Sequence, residues 1–173
     1  MLILGHGGHG KDDFAKCLGE YVPGLSFASS SWVACDEFIY PTLKDLYKYA
    51  SIEQCFADRV NHRQEWYELI CEYNKEDRTR LARLVFNRSN VYVGLRDALE
   101  YIAIRKAGLV HLVFWVDATR RLKLRDPSFK IKYSSNMIHV DNNQGLIELE
   151  QKAQFWANKV KYLQTLYREN LWH

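Results

Sequence analysis

The sequence predicts an α/β fold, a three-layer domain whose mostly parallel, five-stranded sheet is flanked by helices on both faces. Two observations carry this prediction. Five short apolar runs alternate with longer stretches of helical periodicity, which indicates crossover connections between parallel strands. Residues 110–116 are apolar apart from His111 and rich in Val, which is typical of a strand buried on both faces.

The predicted strands are bounded by turn-forming residues. The first ends in a glycine loop, the second follows the Pro23-Gly24 break, and the last is closed by Asp141-Asn142-Asn143. The five predicted strands cover residues 1–4, 25–28, 90–93, 110–116 and 137–140.

The predicted helices repeat their apolar residues at intervals of three and four positions. Ser51, followed by Glu53 and Gln54, predicts an N-cap and a capping box at the start of one long helix. The helical patterns cover residues 12–22, 51–73, 76–86, 97–106 and 146–167.

Composition limits the function classes. The chain has 173 residues with 47% hydrophobic and 26% charged residues, which suits one packed domain and excludes intrinsic disorder. The net charge of +3 is too small to argue for nucleic-acid binding by itself. There is no apolar run of membrane-spanning length, no signal-peptide pattern at the start and no CxxC pair among the four cysteines. We therefore expect free thiols and a cytoplasmic location.

A glycine-rich loop with the spacing GxxxxGK lies between the first predicted strand and the first predicted helix. Glycines let successive backbone N–H groups turn toward phosphate oxygens, and the helix N-terminus adds partial positive charge. Lys11 would reach the β- and γ-phosphates of ATP. The residues expected to contact the nucleotide are Gly5, His6, Gly7, Gly8, His9, Gly10, Lys11, Asp12 and Asp13. The two histidines are expected to hydrogen-bond near the phosphates, because no third ligand stands at a metal-site spacing.

The residue after Lys11 departs from the usual pattern. A Ser or Thr hydroxyl commonly binds Mg²⁺ at this position, and here Asp12 and then Asp13 follow instead. Two carboxylates would repel phosphate unless one coordinates or orients Mg²⁺, directly or through water. The alternative is that both simply favour the positive end of the helix. Asp12 is the candidate metal ligand.

Gly10-Lys11-Asp12 after a glycine loop resembles the bacteriophage deoxynucleoside monophosphate kinases, within the P-loop nucleoside monophosphate kinase superfamily. Members often read Gly-Lys-Asp-Thr, whereas this chain has Asp13 in the last position. Residues 91–96, 113–117 and 137–149 also resemble segments of that family, so the likeness spans the chain.

The resemblance implies a single P-loop kinase domain over residues 1–173, with a nucleoside monophosphate-binding helical region at about 30–88 and a short lid at about 118–135. It implies that Arg96 binds the acceptor monophosphate, with Glu100 on the following helix. Arginines of the lid would close over the phosphates, and the candidates are Arg120, Arg121 and Arg125. Many relatives carry Asp before the glycine at Gly94, and Val93 stands there in this chain, which strengthens the case for Asp12.

A second arginine cluster stands in the long predicted helix. Arg59 and Arg63 are four residues apart, which would place them on one helix face near Trp66 and Tyr67. Two like charges at that spacing cost helix stability, so an anionic partner would explain them. We expect them to grip a monophosphate while the aromatics stack on its base. A solvated face paired with nearby carboxylates is the alternative.

The leading hypothesis is an ATP- and Mg²⁺-dependent kinase that converts a (deoxy)nucleoside monophosphate to the diphosphate. Two alternatives remain open, a P-loop kinase for another small phosphorylated metabolite and a nucleotide-binding module without catalysis. The expected partners are nucleotides, with no membrane and no nucleic acid, because no basic stripe with interleaved aromatics extends beyond residues 59–67. A homodimer is left open, and a phage origin would place the protein in the host cytoplasm.

Overall fold

The structure is a computed structural model that describes residues 1–122 and 129–170, with side chains described as far as residue 165. These residues form five strands and eight α-helices, with the second to sixth helices between the second and third strands and one π-helical turn between the second and third helices. The strands are β1 (Leu2–Leu4), β2 (Phe27–Ser29), β3 (Val91–Val93), β4 (Val113–Asp117) and β5 (Ile138–Asp141). The helices are α1 (Lys11–Tyr21), α2 (Ser30–Ala34), α3 (Tyr40–Tyr47), α4 (Ile52–Asp58), α5 (Arg63–Tyr73), α6 (Arg80–Arg88), α7 (Ala98–Lys106) and α8 (Leu146–Asn170).

The strands form one sheet in the order β2-β3-β1-β4-β5. Every pairing is parallel, with Leu2 opposite Tyr92 on one side of β1 and opposite Val113 on the other. The α/β prediction is confirmed, and the sheet is wholly parallel. After β1 the chain forms β2 and β3 on one side of that strand, and it then forms β4 and β5 on the other side. In open parallel sheets ligands bind at such a reversal, outside the carboxyl ends of the strands, and the carboxyl end of β1 lies at this position.

The sheet buries side chains on both faces because residues alternate direction along each strand. In β1, Leu2 and Leu4 belong to the core that α2 to α7 cover, while Ile3 belongs to the core beneath α1 and α8. In β4, Trp115 and Phe114 divide in the same way. Two apolar layers therefore hold β1 rigidly at the centre of the molecule.

The long predicted helix over 51–73 is wrong, since α4 ends at Asp58 and α5 begins at Arg63. The Asp58 carboxylate explains the break. It accepts hydrogen bonds from Tyr49 Oη at 2.7 Å and Asn61 Nδ2 at 2.6 Å, and it lies 3.1 Å from His62 Nε2. These side chains stabilise a turn where apolar periodicity alone predicts continuous helix. The start of that helix was predicted correctly, because Ser51 caps α4 by accepting a bond from the Gln54 N–H.

Residues 30–47 are helical, and they lie within the helical region expected at about 30–88, although no separate helix was predicted among them. The helical path passes through a π-helical turn at Cys35–Ile39. Cys35, Ile39 and Leu43 are buried at intervals of four positions, which is the spacing of one helix face. All three belong to the core that α2 to α7 cover.

The free thiols are confirmed, with Cys35 and Cys55 fully buried and Cys17 and Cys71 partly buried. In the part of the chain that the structure describes, no helix is long and apolar enough to cross a membrane.

Candidate functional site

The glycine loop lies at the carboxyl end of β1 and leads directly into α1. Gly5 must be a glycine for close approach, because a Cβ there would stand 2.6 Å from the backbone oxygen of Val116 on β4. Gly10 is the N-cap of α1 with φ of 84°, a left-handed conformation that L side chains rarely adopt. Lys11 is consequently the first residue of α1, where unpaired backbone N–H groups and the helix dipole favour an anion.

His9 fixes the loop to the end of β4. Its ring is buried, and its Nδ1 accepts a hydrogen bond from the Ala118 N–H at 3.1 Å. Burial lowers the pKa of His9, and the neighbouring His6 adds to the effect. A neutral ring with an accepting Nδ1 carries its proton on Nε2. His9 therefore anchors the loop to the residue that begins the predicted lid.

Asn142 fixes the same loop to the end of β5. Its Nδ2 donates to the His9 carbonyl oxygen at 2.9 Å, and its own backbone N–H donates to the backbone carbonyl oxygen of Asp117 at 2.7 Å. A Cβ on Gly10 would stand 2.3 Å from Asn142 Nδ2. The loop, β4 and β5 thus form one hydrogen-bonded unit around a buried carboxamide.

A cavity of about 240 Å³ opens beside this unit. Polar groups of the loop and apolar side chains of α8 both contribute to its walls. The lining residues are Gly8, Gly10, Asp13, Arg121, Asn142, Leu146 and Leu149. Its mixture of backbone, charge and apolar surface suits a small ligand with an anionic end and a planar or apolar end.

Lys11 and Asp12 contact each other at the start of α1. Lys11 Nζ lies 3.2 Å from Asp12 Oδ2, and the Lys11 side chain is largely covered while that of Asp12 is more than half exposed. Within the described residues no group of three His, Cys, Asp or Glu side chains could hold a metal ion. Mg²⁺ in phosphate-transfer sites typically takes one or two carboxylates and completes its shell with water and substrate phosphates. The role of Asp12 as the carboxylate of such a site stays a prediction.

The predicted lid arginines divide into three situations. Arg120 turns to β5, where its Nη2 lies 2.6 Å from Asp141 Oδ2. Hydrogen bonds from Asn143 are the main cause that holds the pKa of Asp141 below its usual range, and the positive charge of Arg120 adds to this effect. Arg121 lines the cavity instead. Arg125 lies outside the described residues.

The two neighbouring arginines diverge because the turn after β5 holds their backbone. Asn143 Oδ1 accepts the Arg120 N–H at 2.8 Å and the Arg121 N–H at 3.2 Å. With both amides held by one oxygen, the side chains at consecutive positions leave in different directions. The sequence indicated a basic cluster here, but no sequence pattern indicated that the Arg120 and Arg121 side chains point in different directions.

Arg96 stands at the carboxyl end of β3, one strand away from the glycine loop, as predicted from its position after Gly94. It is exposed, and its backbone oxygen accepts the Lys130 N–H at 2.9 Å. That bond joins Lys130 to the carboxyl end of β3, at the same end of the sheet as the glycine loop.

Glu100 lies below this edge and is 4% exposed. Its carboxyl group accepts a hydrogen bond from Tyr92 Oη at 2.9 Å and a longer one from Asn74 Nδ2 at 3.4 Å. Burial raises the pKa of Glu100 to about 8, so the side chain is neutral at pH 7. The structure therefore places Glu100 as a buried support under the β3 edge. Whether it contacts a substrate stays a prediction.

The prediction that Arg59 and Arg63 lie on one helix face is wrong, because the two residues lie on opposite sides of the break between α4 and α5. Arg59 Nη1 donates to the Phe56 carbonyl oxygen at 2.7 Å, and its guanidinium lies 3.9 Å from the centre of the Phe56 ring. Arg63 is exposed at the start of α5. Neither residue is excluded from substrate binding, which stays a prediction for each.

The two aromatics of that cluster also separate. Trp66 is 4% exposed and belongs to the core under α2 to α7, so base stacking on it would require that core to open. Tyr67 is 45% exposed and stays available at the surface.

Sequence reasoning missed Arg78, which lies in the turn between α5 and α6. Burial is the main cause that raises the pKa of Glu100, and a hydrogen bond with the Cys71 thiol is the main cause that raises the pKa of Tyr67. The positive charge of Arg78 acts against both increases. Arg78 is therefore within electrostatic reach of Glu100 and Tyr67. No pattern in residues 74–79 marked it, because this turn approaches Glu100 only in the folded chain, where Asn74 Nδ2 donates to the Glu100 carboxyl group.

No family model matches the chain, and no curated protein matches it. Among solved structures, the unliganded crystal structure of a sugar kinase from Janibacter sp. is similar, with 15% sequence identity and a TM-score of 0.46. The similarity covers 93% of this chain and 95% of that one.

Gly10→Ala should lower the free energy of unfolding more than Gly24→Ala. Both glycines have left-handed φ, 84° and 76°, but a Cβ at Gly24 meets nothing within 4 Å whereas one at Gly10 meets Asn142. Each variant should lose about 1 kcal/mol to backbone strain. Gly10→Ala should lose about 1–3 kcal/mol more, because Asn142 must leave the His9 oxygen. Urea unfolding of the two variants measures the difference, and equal losses would contradict the packing of Asn142 against the loop.

Glu100→Gln should remove a pH dependence from stability. The unfolded chain releases the Glu100 proton near its ordinary pKa of 4.5, while the folded protein keeps it to about 8, so wild-type stability falls as pH rises between these values. The stability of wild type relative to Glu100→Gln should decline by up to about 1.4 kcal/mol per pH unit in that window. Exposed Glu68, replaced by Gln, is the control. A pH-independent difference for Glu100→Gln would show that Glu100 is ionised in the fold.

Proposed function

We propose that the protein transfers the γ-phosphoryl group of ATP, with Mg²⁺, to a (deoxy)nucleoside monophosphate and so forms the diphosphate. One observation carries the proposal: a glycine loop at the carboxyl end of the central strand runs into a helix whose first residue is Lys11. That arrangement presents amides, a helix dipole and an ammonium group to one anionic ligand. The resemblance of Gly10-Lys11-Asp12 to the deoxynucleoside monophosphate kinases supports the acceptor class.

The donor would bind with its phosphates in the loop and its nucleoside in the neighbouring cavity. Lys11 would exchange its contact with Asp12 for the β- and γ-phosphates. Arg121 and Asp13 lie at the cavity wall, and Leu146 and Leu149 give it an apolar side against which a base could pack. The anchoring of the loop by His9 and Asn142 supports a preorganised phosphate site, which needs no rearrangement during reaction.

Asp12 would hold Mg²⁺ at the donor phosphates, directly or through water. When bound, Mg²⁺ neutralises charge that develops on the phosphate oxygens. The exposed carboxylate of Asp12 at the loop end supports this assignment.

The acceptor would bind at the β3 edge, with Arg96 on its phosphate. An oxygen of the acceptor phosphate forms a bond to the γ-phosphorus of ATP, and the bond from that phosphorus to the β–γ bridging oxygen breaks, which leaves ADP. A monophosphate is already an anionic nucleophile at neutral pH, so no general base is required. Charge stabilisation by arginines is the main contribution that such a reaction needs, and the candidates are Arg96, Arg120, Arg121 and Arg125.

Two other functions fit the same loop. A different small phosphorylated metabolite could occupy the acceptor side, and a nucleotide-binding module without catalysis would need no acceptor at all. The absence of a hydroxyl after Lys11 and of a carboxylate at Val93 favours the second of these.

Purified protein incubated with ATP, Mg²⁺ and each common nucleoside and deoxynucleoside monophosphate tests the proposal. Diphosphate formation from one or more monophosphates is expected. Turnover of another phosphorylated metabolite alone would support the first alternative. Tight ATP binding with no phosphorylated product, at enzyme concentrations equal to those of the substrates, would overturn the kinase proposal in favour of a binding module.

Lys11→Ala should lose turnover while the protein stays folded, because Lys11 contributes charge stabilisation in a partly covered site. We expect a fall in kcat of at least about 100-fold, in the range seen when one preorganised donor is removed. Lys16→Ala on the same helix is the matched control, since Lys16 is exposed and lies outside the loop. Kinetics and circular dichroism measure the two effects. Near-normal kcat in folded Lys11→Ala would contradict the phosphate-loop assignment.

Asp12→Asn should raise the Mg²⁺ concentration needed for half-maximal activity more than about tenfold, or about 1.4 kcal/mol. A carboxylate attracts Mg²⁺ more strongly than a neutral amide does. Asp13→Asn should change the requirement less. The same Mg²⁺ requirement in wild type and Asp12→Asn would show that Asp12 serves only the helix terminus, and Asp117 would be the next candidate.

A further inference from the structure

We propose that the outer side of α8 binds the same side of a second copy of this chain, with the two helices antiparallel. The inference concerns assembly, so it goes beyond the proposed function and does not rest on it. It follows from the apolar side chains on two opposite sides of α8 and from the order of charges along the helix.

The inner side of α8 is already packed within the domain. Its side chains belong to the core beneath α1 and α8, and they repeat at intervals of three and four positions, the spacing of one helix face. They are Leu149, Ala153, Trp156, Ala157 and Val160. These residues attach α8 to the sheet and to α1, and the opposite side of the helix faces away from the domain.

The outer side of α8 carries an uncharged stripe with three large apolar side chains. Ile147 is 71% exposed, Phe155 56% and Tyr162 65%. Exposed Gln151 and Asn158 lie between them, so the stripe advances by four, four, three and four residues and stays on one side of the helix. An amphipathic surface helix keeps its outer side polar. Aligned apolar side chains exposed on that side indicate a surface that another molecule covers.

Charged side chains flank this stripe, and their sign changes along the helix. Two glutamates stand near its start, and two lysines stand further along, each eleven residues after one of the glutamates. Eleven residues make about three turns, so each glutamate lies on the same margin of the stripe as the lysine that follows it. One margin carries Glu148 and Lys159. The other carries Glu150 and Lys161. Lys159 Nζ lies 5.2 Å from the centre of the Phe155 ring, which places its charge directly beside the stripe.

Lys152, between these two halves, is directed elsewhere. Its ammonium group donates to the backbone oxygen of Asp141 and, at 3.0 Å, to the side-chain oxygen of Gln144. Both acceptors belong to the turn before α8, so Lys152 takes no part in the order of charges on the outer side.

The helix dipole does not account for the two lysines of the stripe margins. Its effect is confined to the first and last turns of a helix, where it favours acidic and basic residues respectively. The helix continues to Asn170, so Lys161 stands nine residues and Lys159 eleven residues before its end. Acidic side chains on a partner would account for lysines at these positions.

A second copy of α8, running in the opposite direction, supplies those acidic side chains. In an antiparallel helix pair each margin faces the same margin of the partner in reversed order. With a twofold axis beside Phe155, Glu150 would lie next to the partner's Lys161. Glu148 would lie close to the partner's Lys159, and the symmetry repeats both pairs. A parallel pair would instead bring like charges to the same height, which is unfavourable.

Sedimentation equilibrium of the full chain, without ligands and over a hundredfold range of protein concentration, tests the inference. Wild type should be dimeric. Phe155→Asp should weaken association more than a hundredfold, because a carboxylate would be buried without a partner at the twofold axis. Leu99→Asp is the matched control and should stay dimeric, since Leu99 is 57% exposed on α7, which covers the other face of the sheet. Circular dichroism checks that both variants are folded.

Charge exchange tests the orientation of the two helices. One variant is Glu148→Lys/Glu150→Lys, and the second is Lys159→Glu/Lys161→Glu. Each variant alone should be monomeric, because it places like charges along both margins. An equimolar mixture should form a dimer of one copy of each, since every margin then meets its opposite charge, and added salt should weaken that dimer. Mixing would not restore association that was lost through a change in the helix dipole.

A wild type that is monomeric at every concentration would overturn the inference, and so would a Phe155→Asp variant that associates as strongly as wild type. Equal loss of association in Leu99→Asp would also overturn it. Charge variants that dimerise alone as strongly as wild type, or a mixture that does not associate, would overturn the antiparallel pairing. Because these measurements report molecular mass, their outcome does not depend on whether the protein is a kinase.

Discussion

The hydrogen bond from Asn142 Nδ2 to the His9 carbonyl oxygen connects three parts of the molecule that are far apart in sequence. It joins the glycine loop after β1 to the turn after β5, and His9 in turn accepts the Ala118 N–H after β4. Each contact requires a close approach that a larger residue at Gly5 or Gly10 would prevent. Because these groups are buried, losing one partner would leave another polar group unsatisfied, which makes the three ends rigid as a unit.

Rigidity on the donor side contrasts with the construction of the opposite side. Arg96 follows the carboxyl end of β3, and the neutral carboxyl group of Glu100 is buried nearby, within electrostatic reach of Arg78. A buried ionised carboxylate there would attract these cations inward and weaken their reach toward a ligand. Protonated Glu100 still accepts hydrogen bonds from Tyr92 and Asn74, and it adds no negative charge beside Arg96. The two sides of the site therefore use burial for different purposes.

Prediction from sequence succeeded where the signal is local. The strand–glycine loop–helix order, the parallel sheet and the cap at Ser51 depend on neighbouring residues, and all are present. It failed over residues 51–73, where apolar periodicity continues through a turn that Asp58, Tyr49 and Asn61 stabilise with side-chain hydrogen bonds. It also identified no separate helix at residues 30–47, within the helical region expected at about 30–88, where the helical path includes a π-helical turn.

The sequence by itself determined that a phosphate-type loop follows the central strand, since glycine spacing, Lys11 and the flanking periodicities act within a dozen residues. It also placed Arg96 at a strand end. Only the tertiary structure decided which arginines share a surface. Arg120 turns to Asp141 and Arg121 lines the cavity, although no spacing relates these arginines to their partners. Side-chain direction at such positions is set by hydrogen bonds between segments that meet only when the sheet and its helices have packed.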